Sequence, residues 1–208
     1  MFCPIMVDIS DKKIGIIGGG KIAYRKAKNF LEYNASIIVA SPELRDEFND
    51  LVKEYGDRVC IIRNTYSKEY IEDCFLVVGA TSDREVNKQV SIDAKEMSLL
   101  CNIVDKQEES NFISPGVVSN DGLLISISTM GRFPYLNKLV KEDLAARYEK
   151  FDNEYMDLLM ELRQVVLTSY RDQSRNIFDK ALTLEKDELK SFIKEITRRE
   201  ENEDCSRY

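Results

Sequence analysis

Gly18, Gly20 and Ala23 stand at the G-x-G-x-x-A spacing of a dinucleotide-binding fingerprint. Each small residue has a physical task at that spacing. Gly18 permits a sharp turn out of a strand, Gly20 lets a pyrophosphate come against bare backbone, and Ala23 lets the following helix sit close to the strand. Unpaired N–H groups and the partial positive charge at the helix start would then face the phosphates. The competing reading is a glycine turn in an α/β protein that binds no nucleotide. The chain contains no histidine, which excludes a His-based triad and a His metal site. Proton transfer therefore falls to Asp, Glu, Lys, Tyr or Cys.

The surrounding pattern supplies the elements that would position these residues. Ile14 to Ile17 read as a buried strand, residues 23–33 as a helix with Ala27, Phe30 and Leu31 on one face, and Ile37 to Ala40 as a second strand. Together they have the length of a βαβ unit. Ser41-Pro42-Glu43 reads as a helix start, with Ser as cap, Pro at the first position and an acid in the first turn. That helix is expected to run to about Tyr55 and stop at Gly56. Residues 59–62 are a third strand, Ser67 caps a short helix, and residues 75–80 are a fourth strand, apolar throughout as expected where both faces are covered. Ser82-x-x-Glu85 has the capping-box form ahead of a helix to about Met97, and residues 99–104 are a fifth strand ending at Asp105. Strands and helices in this alternation predict a doubly wound parallel sheet, whose ligands lie at the carboxyl ends of its strands. Gly18, Ser41-Pro42, Thr81 and Asp105 all fall at such ends.

Outside this core the signals change. Residues 4–9 alternate weakly enough for a short leading strand. Residues 112–118 and 123–128 read as strands joined by a turn containing Asp121-Gly122. From Pro134 the chain reads as helical, with apolar faces at Leu136, Leu139, Val140 and Leu144, then Leu158, Leu159, Leu162, Val165 and Val166, then Leu189, Phe192, Ile193 and Ile196. The tail from Arg198 is charged and expected to fray. The resulting division is a dinucleotide-binding domain at 1–110, a small α+β segment at 111–148 and a helical region at 149–208.

Composition narrows the function. A net charge of −7 argues against general nucleic-acid binding, so a polyanionic substrate would need a local cluster of Lys and Arg. Cys3, Cys60, Cys74, Cys101 and Cys205 are scattered and form no C-x-x-C pair, which suits reduced thiols. No apolar run has membrane-spanning length and the start lacks a signal-peptide pattern. A cytoplasmic protein is expected.

The order of the motifs resembles one family, the precorrin-2 dehydrogenases that form the dehydrogenase and ferrochelatase part of siroheme synthases. Its short start is matched by Pro4-Ile5-Met6-Val7-Asp8, and its G-G-G-x-V-A-x-R-K loop by Gly18-Gly19-Gly20-Lys21-Ile22-Ala23-Tyr24-Arg25-Lys26. The A-T-x-D-x-x-x-N element is matched by Ala80-Thr81-Ser82-Asp83-Arg84-Glu85-Val86-Asn87. Asn102-Ile103-Val104-Asp105 stands for N-V-V-D, Asn111-Phe112-Ile113-Ser114-Pro115 for S-F-I-x-P, and residues 127–134, Ile-Ser-Thr-Met-Gly-Arg-Phe-Pro, for I-S-T-x-G-x-x-P. The resemblance covers residues 4–147.

It implies oxidation of precorrin-2 to sirohydrochlorin with NAD as cofactor. In some members ferrous iron is a further substrate, inserted to give siroheme. It also implies a homodimer made through the segment after the Rossmann domain, which also forms the substrate cleft. Asp105 matches the proposed base, also implicated in chelation. Gly18, Gly20, Lys21, Ile22 and Ala23 match the pyrophosphate loop, and Pro42 and Glu43 match positions bordering the adenosine ribose. Glu43 has a rival role as a first-turn acid. Thr81 is expected on the nicotinamide side. The tetrapyrrole is a polycarboxylate, so Arg132, Lys138, Lys141 and Arg147 are candidate partners, with Ser128 and Thr129 as hydroxyl donors. Met130 and Phe133 depart from the family's loop, where a small residue and a hydroxyl are usual. A non-catalytic, dimeric NAD-sensing module is the alternative from a different class.

Overall fold

The computed structural model describes residues 2–205, with side chains to residue 198. The chain forms two compact units, Met1–Ser114 and Pro115–Tyr208. In the first, five parallel strands make one sheet: β1 (Lys13–Ile17), β2 (Ser36–Ala40), β3 (Val59–Ile62), β4 (Leu76–Gly79) and β5 (Leu100–Ile103), in the order β3-β2-β1-β4-β5. The order reverses direction between β1 and β4. That pair is therefore the topological switch point, where open α/β sheets bind ligands. Ile14 is level with Ile37 on β2 and with Leu76 on β4, so the three central strands end together.

Helices α1 (Lys21–Glu32) and α2 (Phe48–Tyr55) contribute to one hydrophobic core, and α3 (Arg84–Glu96) to the other. Ala23, Ala27 and Leu31 are the buried stripe of α1, and burying such a stripe against the sheet is what makes this helix stable. Ile14, Ile16 and Val39 carry one core, while Ile17, Val77 and Ile103 carry the other. This alternation matches side chains pointing to opposite faces along each strand.

Several local expectations are corrected. Ser41 does not cap a helix: its hydroxyl donates to the Glu43 carbonyl at 2.7 Å, and α2 begins only at Phe48. The intervening turn packs against the glycine loop, and that contact outweighs the helix-start signal. The cap of α3 is Asp83, whose carboxylate accepts from the N–H groups of Glu85 and Val86, one residue later than the capping-box pattern suggests. Ser67 makes no capping hydrogen bond to the backbone of the short 3-10 helix Lys68–Tyr70. Residues 4–9 form no strand.

In the second unit β6 (Gly116–Ser119) and β7 (Leu124–Ile127) pair antiparallel, shorter than the sequence pattern suggests. Asp121, with φ 67, makes the turn between them. Four helices follow: α4 (Pro134–Arg147), α5 (Asn153–Ser169), α6 (Ser174–Ala181) and α7 (Lys186–Cys205). Leu162, Val166, Ile177, Leu189 and Ile193 from α5, α6 and α7 share a core around Tyr155, which is fully buried. The apolar face expected on α4 is interrupted: Asp143 and Arg147, bonded to each other, fall among Leu136, Leu139, Val140 and Leu144, and no residue of that helix is buried. The last helix continues to Cys205 where fraying was expected from Arg198. Residues 206–208 and the Cys205 side chain lie outside the described residues. Among the described residues, no helix is long and apolar enough to cross a membrane.

Candidate active site

The carboxyl end of β1 turns directly into the glycine loop. Gly18 has φ +125, and a Cβ there would lie 2.4 Å from the Ala80 carbonyl oxygen at the end of β4. Only glycine lets the two strand ends meet this closely. A Cβ on Gly19 would lie 2.0 Å from the Glu43 carbonyl oxygen, and the Arg45 N–H donates to the Gly19 carbonyl at 3.1 Å. The turn after β2 is thereby fastened to the loop.

Gly20 differs from both. A Cβ built on it meets nothing within 4 Å, so its missing side chain leaves open space in front of the loop. Gly20 is also the N-cap of α1, with no side-chain cap and no acidic residue in the first turn. The first N–H groups of α1 are thus left for an outside acceptor, and no carboxylate competes for the positive end of the helix. Lys21 is exposed at the first helical position and Ile22 is 46 % exposed at the second, while Ala23 is buried against the sheet. These residues fit a dinucleotide: the N–H groups and Lys21 would hold the pyrophosphate, and Gly20 would give it room. Pro42 and Glu43 are exposed on the turn beside the loop, at the end of β2 where the adenosine ribose sits in this fold. Glu43 lies outside any helix, so its rival role as a first-turn acid does not apply.

Around Asp105 the arrangement is tighter. Asn87, on α3 and 0 % exposed, is hydrogen-bonded at both ends of its amide. Its Oδ1 lies 3.1 Å from the Thr81 N–H nitrogen and 2.9 Å from the Thr81 hydroxyl. Its Nδ2 donates to the Thr81 carbonyl and to Asp105 Oδ1, both at 3.1 Å. The loop after β4 and the carboxylate after β5 are joined through one side chain. Asp105 Oδ2 has the Arg84 Nε at 3.9 Å, beyond hydrogen-bond length. Arg84 bonds instead to Glu109 through Nη2, and that hydrogen bond raises the guanidinium's pKa further above its ordinary value. The Asp105 side chain is 43 % exposed, so the carboxylate is open to solvent.

The segment after Asp105 is held along the free edge of β5. Asn111 Oδ1 accepts from the Cys101 N–H at 2.7 Å, and the Ser110 hydroxyl accepts from the Ile103 N–H at 2.8 Å. These side chains satisfy an edge that would otherwise be open to pairing. A second carboxylate of α3, Asp93, is buried and already occupied by Tyr66 at 2.8 Å and Gln89 at 2.9 Å, which makes it a structural group. Burial pushes the thiols of Cys74 and Cys101 up to about 11, so neither is a nucleophile near neutral pH.

The remaining candidates belong to the second unit. The Ser128 hydroxyl accepts from the Met130 N–H at 3.0 Å and the Thr129 hydroxyl from the Phe133 N–H at 3.3 Å. Both hydroxyls shape the turn, in which Met130 has φ 53 and Gly131 φ 73. Met130, Phe133 and Arg132 are exposed. Lys138 lies 3.7 Å from Glu142, one turn along α4, and Arg147 bonds Asp143 at 3.2 Å. Asn87 was not singled out as a site residue from sequence. Its signal was the A-T-x-D-x-x-x-N spacing, which sets it one helical turn past the Asp83 cap.

Sheet order and glycine loop together define a dinucleotide-binding α/β protein with its site at the β1/β4 switch point. Residues 5–116 match the model of a family described as putative NAD(P)-binding. The siroheme synthase of Photorhabdus laumondii is 34% identical over 145 residues, 70% of this chain and 30% of that protein. The siroheme synthase of Tolumonas auensis is 28% identical over 182 residues, 86% of this chain and 38% of that protein. The chain thus spans about a third of the length of these curated relatives. Among solved structures, "SirC, precorrin-2 dehydrogenase" superposes with a TM-score of 0.67 at 26% identity, over 95% of this chain and 100% of that one. The chain belongs to the precorrin-2 dehydrogenase family of NAD(P)-binding proteins. Loop, switch point and family together give NAD as its cofactor.

Proposed function

We propose that this chain oxidises precorrin-2 to sirohydrochlorin. The observation that carries this reading is the pairing of an open pyrophosphate cradle at Gly20 with a carboxylate, Asp105, held by Asn87 to the end of β4. Oxidation takes a hydride and a proton from the tetrapyrrole. NAD, when bound, supplies the hydride acceptor. The proton goes to Asp105 Oδ2, the oxygen not held by Asn87, with the Arg84 Nε at 3.9 Å. Gly18, Gly20, Lys21, Ile22 and Ala23 hold the pyrophosphate, Pro42 and Glu43 border the ribose, and Thr81 shapes the nicotinamide side.

Ser128, Thr129, Arg132 and Lys138 are the proposed contacts to the substrate's carboxylates. Residues 111–148 are proposed as the dimerisation and cleft segment, with 149–208 a helical region behind it. Supporting this, Tyr135, Leu136 and Leu139 on α4 are exposed apolar residues, and an isolated two-stranded sheet such as β6–β7 is marginal on its own. The chain is proposed to act in the cytoplasm as a homodimer. Ferrous iron is a second proposed substrate: the carboxylate that accepts a proton during oxidation can accept the pyrrole N–H protons that chelation displaces.

The test is direct. Protein, NAD and precorrin-2 are mixed, and NADH and sirohydrochlorin are followed by absorbance. Equal formation of both supports the reading; NAD binding with no NADH formed overturns it and leaves the NAD-sensing module. Ferrous iron added after oxidation then tests chelation, with siroheme as the expected product.

A further inference from the structure

We infer that Asn87 is a positioning residue for the oxidation, tethering one oxygen of Asp105 so that the carboxylate is held in one orientation towards the substrate; this deepens the proposed role of Asp105 and rests on it. The argument begins with hydrogen-bond accounting. A buried amide has two donor and two acceptor positions to fill, and an unfilled one is costly. Asn87 is 0 % exposed; its Oδ1 accepts from the Thr81 N–H, and its Nδ2 donates to the Thr81 carbonyl and to Asp105, while the single proton of the Thr81 hydroxyl lies between Asn87 Oδ1 at 2.9 Å and the Asp83 carbonyl at 2.8 Å. The opposite orientation would set the NH2 group against the Thr81 N–H and an oxygen against both a carbonyl and a carboxylate. The Thr81 backbone therefore fixes which way the amide points.

Because the amide cannot turn, its NH2 group always faces Asp105 and ties down one carboxylate oxygen, labelled Oδ1. The other, Oδ2, is left untethered by Asn87, with the Arg84 guanidinium at 3.9 Å and engaged by Glu109. Asn87 thus acts through Asp105, fixing the angle and depth of the carboxylate relative to the loop after β4. A misplacement of about 1 Å in such a group is enough to lower a rate roughly 100-fold. Thr81 fastens the same amide, so cofactor-side loop and base are set in register by one residue.

The test compares Asn87→Asp and Asn87→Ser with Asp105→Asn, using NAD and precorrin-2. Both Asn87 variants are expected to lose at least about 30-fold in kcat, with the KM for precorrin-2 and the NADH dissociation constant within about threefold of wild type. Retained kcat overturns the inference. So does a fall in NADH affinity as large as the fall in kcat, which would make Asn87 a brace for the Thr81 loop alone. Should neither variant fold, the side-chain amide resonances of Asn87 are compared between wild type and Asp105→Ala. They are expected to move, and unmoved resonances overturn the inference. An active Asp105→Asn enzyme removes the proposed base itself, whereas active Asn87 variants beside a dead Asp105→Asn remove only the positioning role.

Discussion

Substituting alanine at Gly20 and at Gly18 should separate binding from folding within one loop. At Gly20 the backbone has φ −84, and a methyl group meets nothing within 4 Å. The fold has no reason to object: an alanine cap is slightly worse than glycine, while the stiffer unfolded chain offsets this, leaving a net change of about 0.5 kcal/mol or less. The melting temperature should stay within about 2 °C of wild type. The methyl would instead fill the space meant for the pyrophosphate, and an overlap costing about 2 kcal/mol lowers NAD affinity roughly 30-fold. At Gly18 the balance is reversed. There φ is +125 and the methyl would lie 2.4 Å from the Ala80 carbonyl oxygen. Backbone strain and overpacking together should cost about 3 kcal/mol or more, a drop of about 6–12 °C for a chain of this size. Thermal melts with and without NADH, together with fluorescence titration, read both effects. Gly20→Ala binding NADH as wild type does, or melting as low as Gly18→Ala, would refute the reasoning.

Two further outcomes follow from groups away from the loop. Lys26 is half-buried on α1, and burial chiefly, with Arg25 adding repulsion, lowers its pKa from 10.5 to about 8. A lysine depressed in the folded state costs stability while both states are charged, below about pH 8, and that cost fades as pH rises to the unfolded value. Lys26→Met should therefore stabilise the protein at pH 7 by about 1–2 kcal/mol, a figure discounted for the part of the side chain that reaches water. The gain should vanish by about pH 10.5, and a pH-independent gain in urea melts would contradict the account. The single proton of the Tyr155 hydroxyl is shared between the carbonyls of Ala181 at 3.0 Å and Leu184 at 2.9 Å. Tyr155→Phe leaves buried carbonyls under-satisfied and should cost about 1–2 kcal/mol by denaturant unfolding, with no change in NADH affinity.

The parallel sheet was legible because each strand carries its own apolar run, and Gly18 and Gly56 mark the ends of β1 and α2. The glycine turn between β1 and α1 was legible because the G-x-G-x-x-A spacing encodes geometry directly. Where long-range contacts decide, the local signals misled. Ser41-Pro42-Glu43 has the composition of a helix start, but the turn is held down by Gly19 and α2 waits until Phe48. Ser82 fits a capping box, yet Asp83, a stronger acceptor one residue on, takes both N–H groups. Asn87 lay in plain view within a matched motif. Its contact with Asp105 crosses 18 residues of chain, and no helical period reports such a pairing. On α4 the spacing of Leu136, Leu139, Val140 and Leu144 suggested a buried stripe, but Asp143 and Arg147 share that arc and no residue of the helix is buried.

The account depends most on Asp105 accepting a proton while the glycine loop holds the cofactor. Rapid mixing of Asp105→Asn with NAD and precorrin-2 separates these two roles. NADH binding within about twofold of wild type and NADH formation slowed at least about 100-fold is the predicted result. Formation of NADH at the wild-type rate in that variant would contradict it.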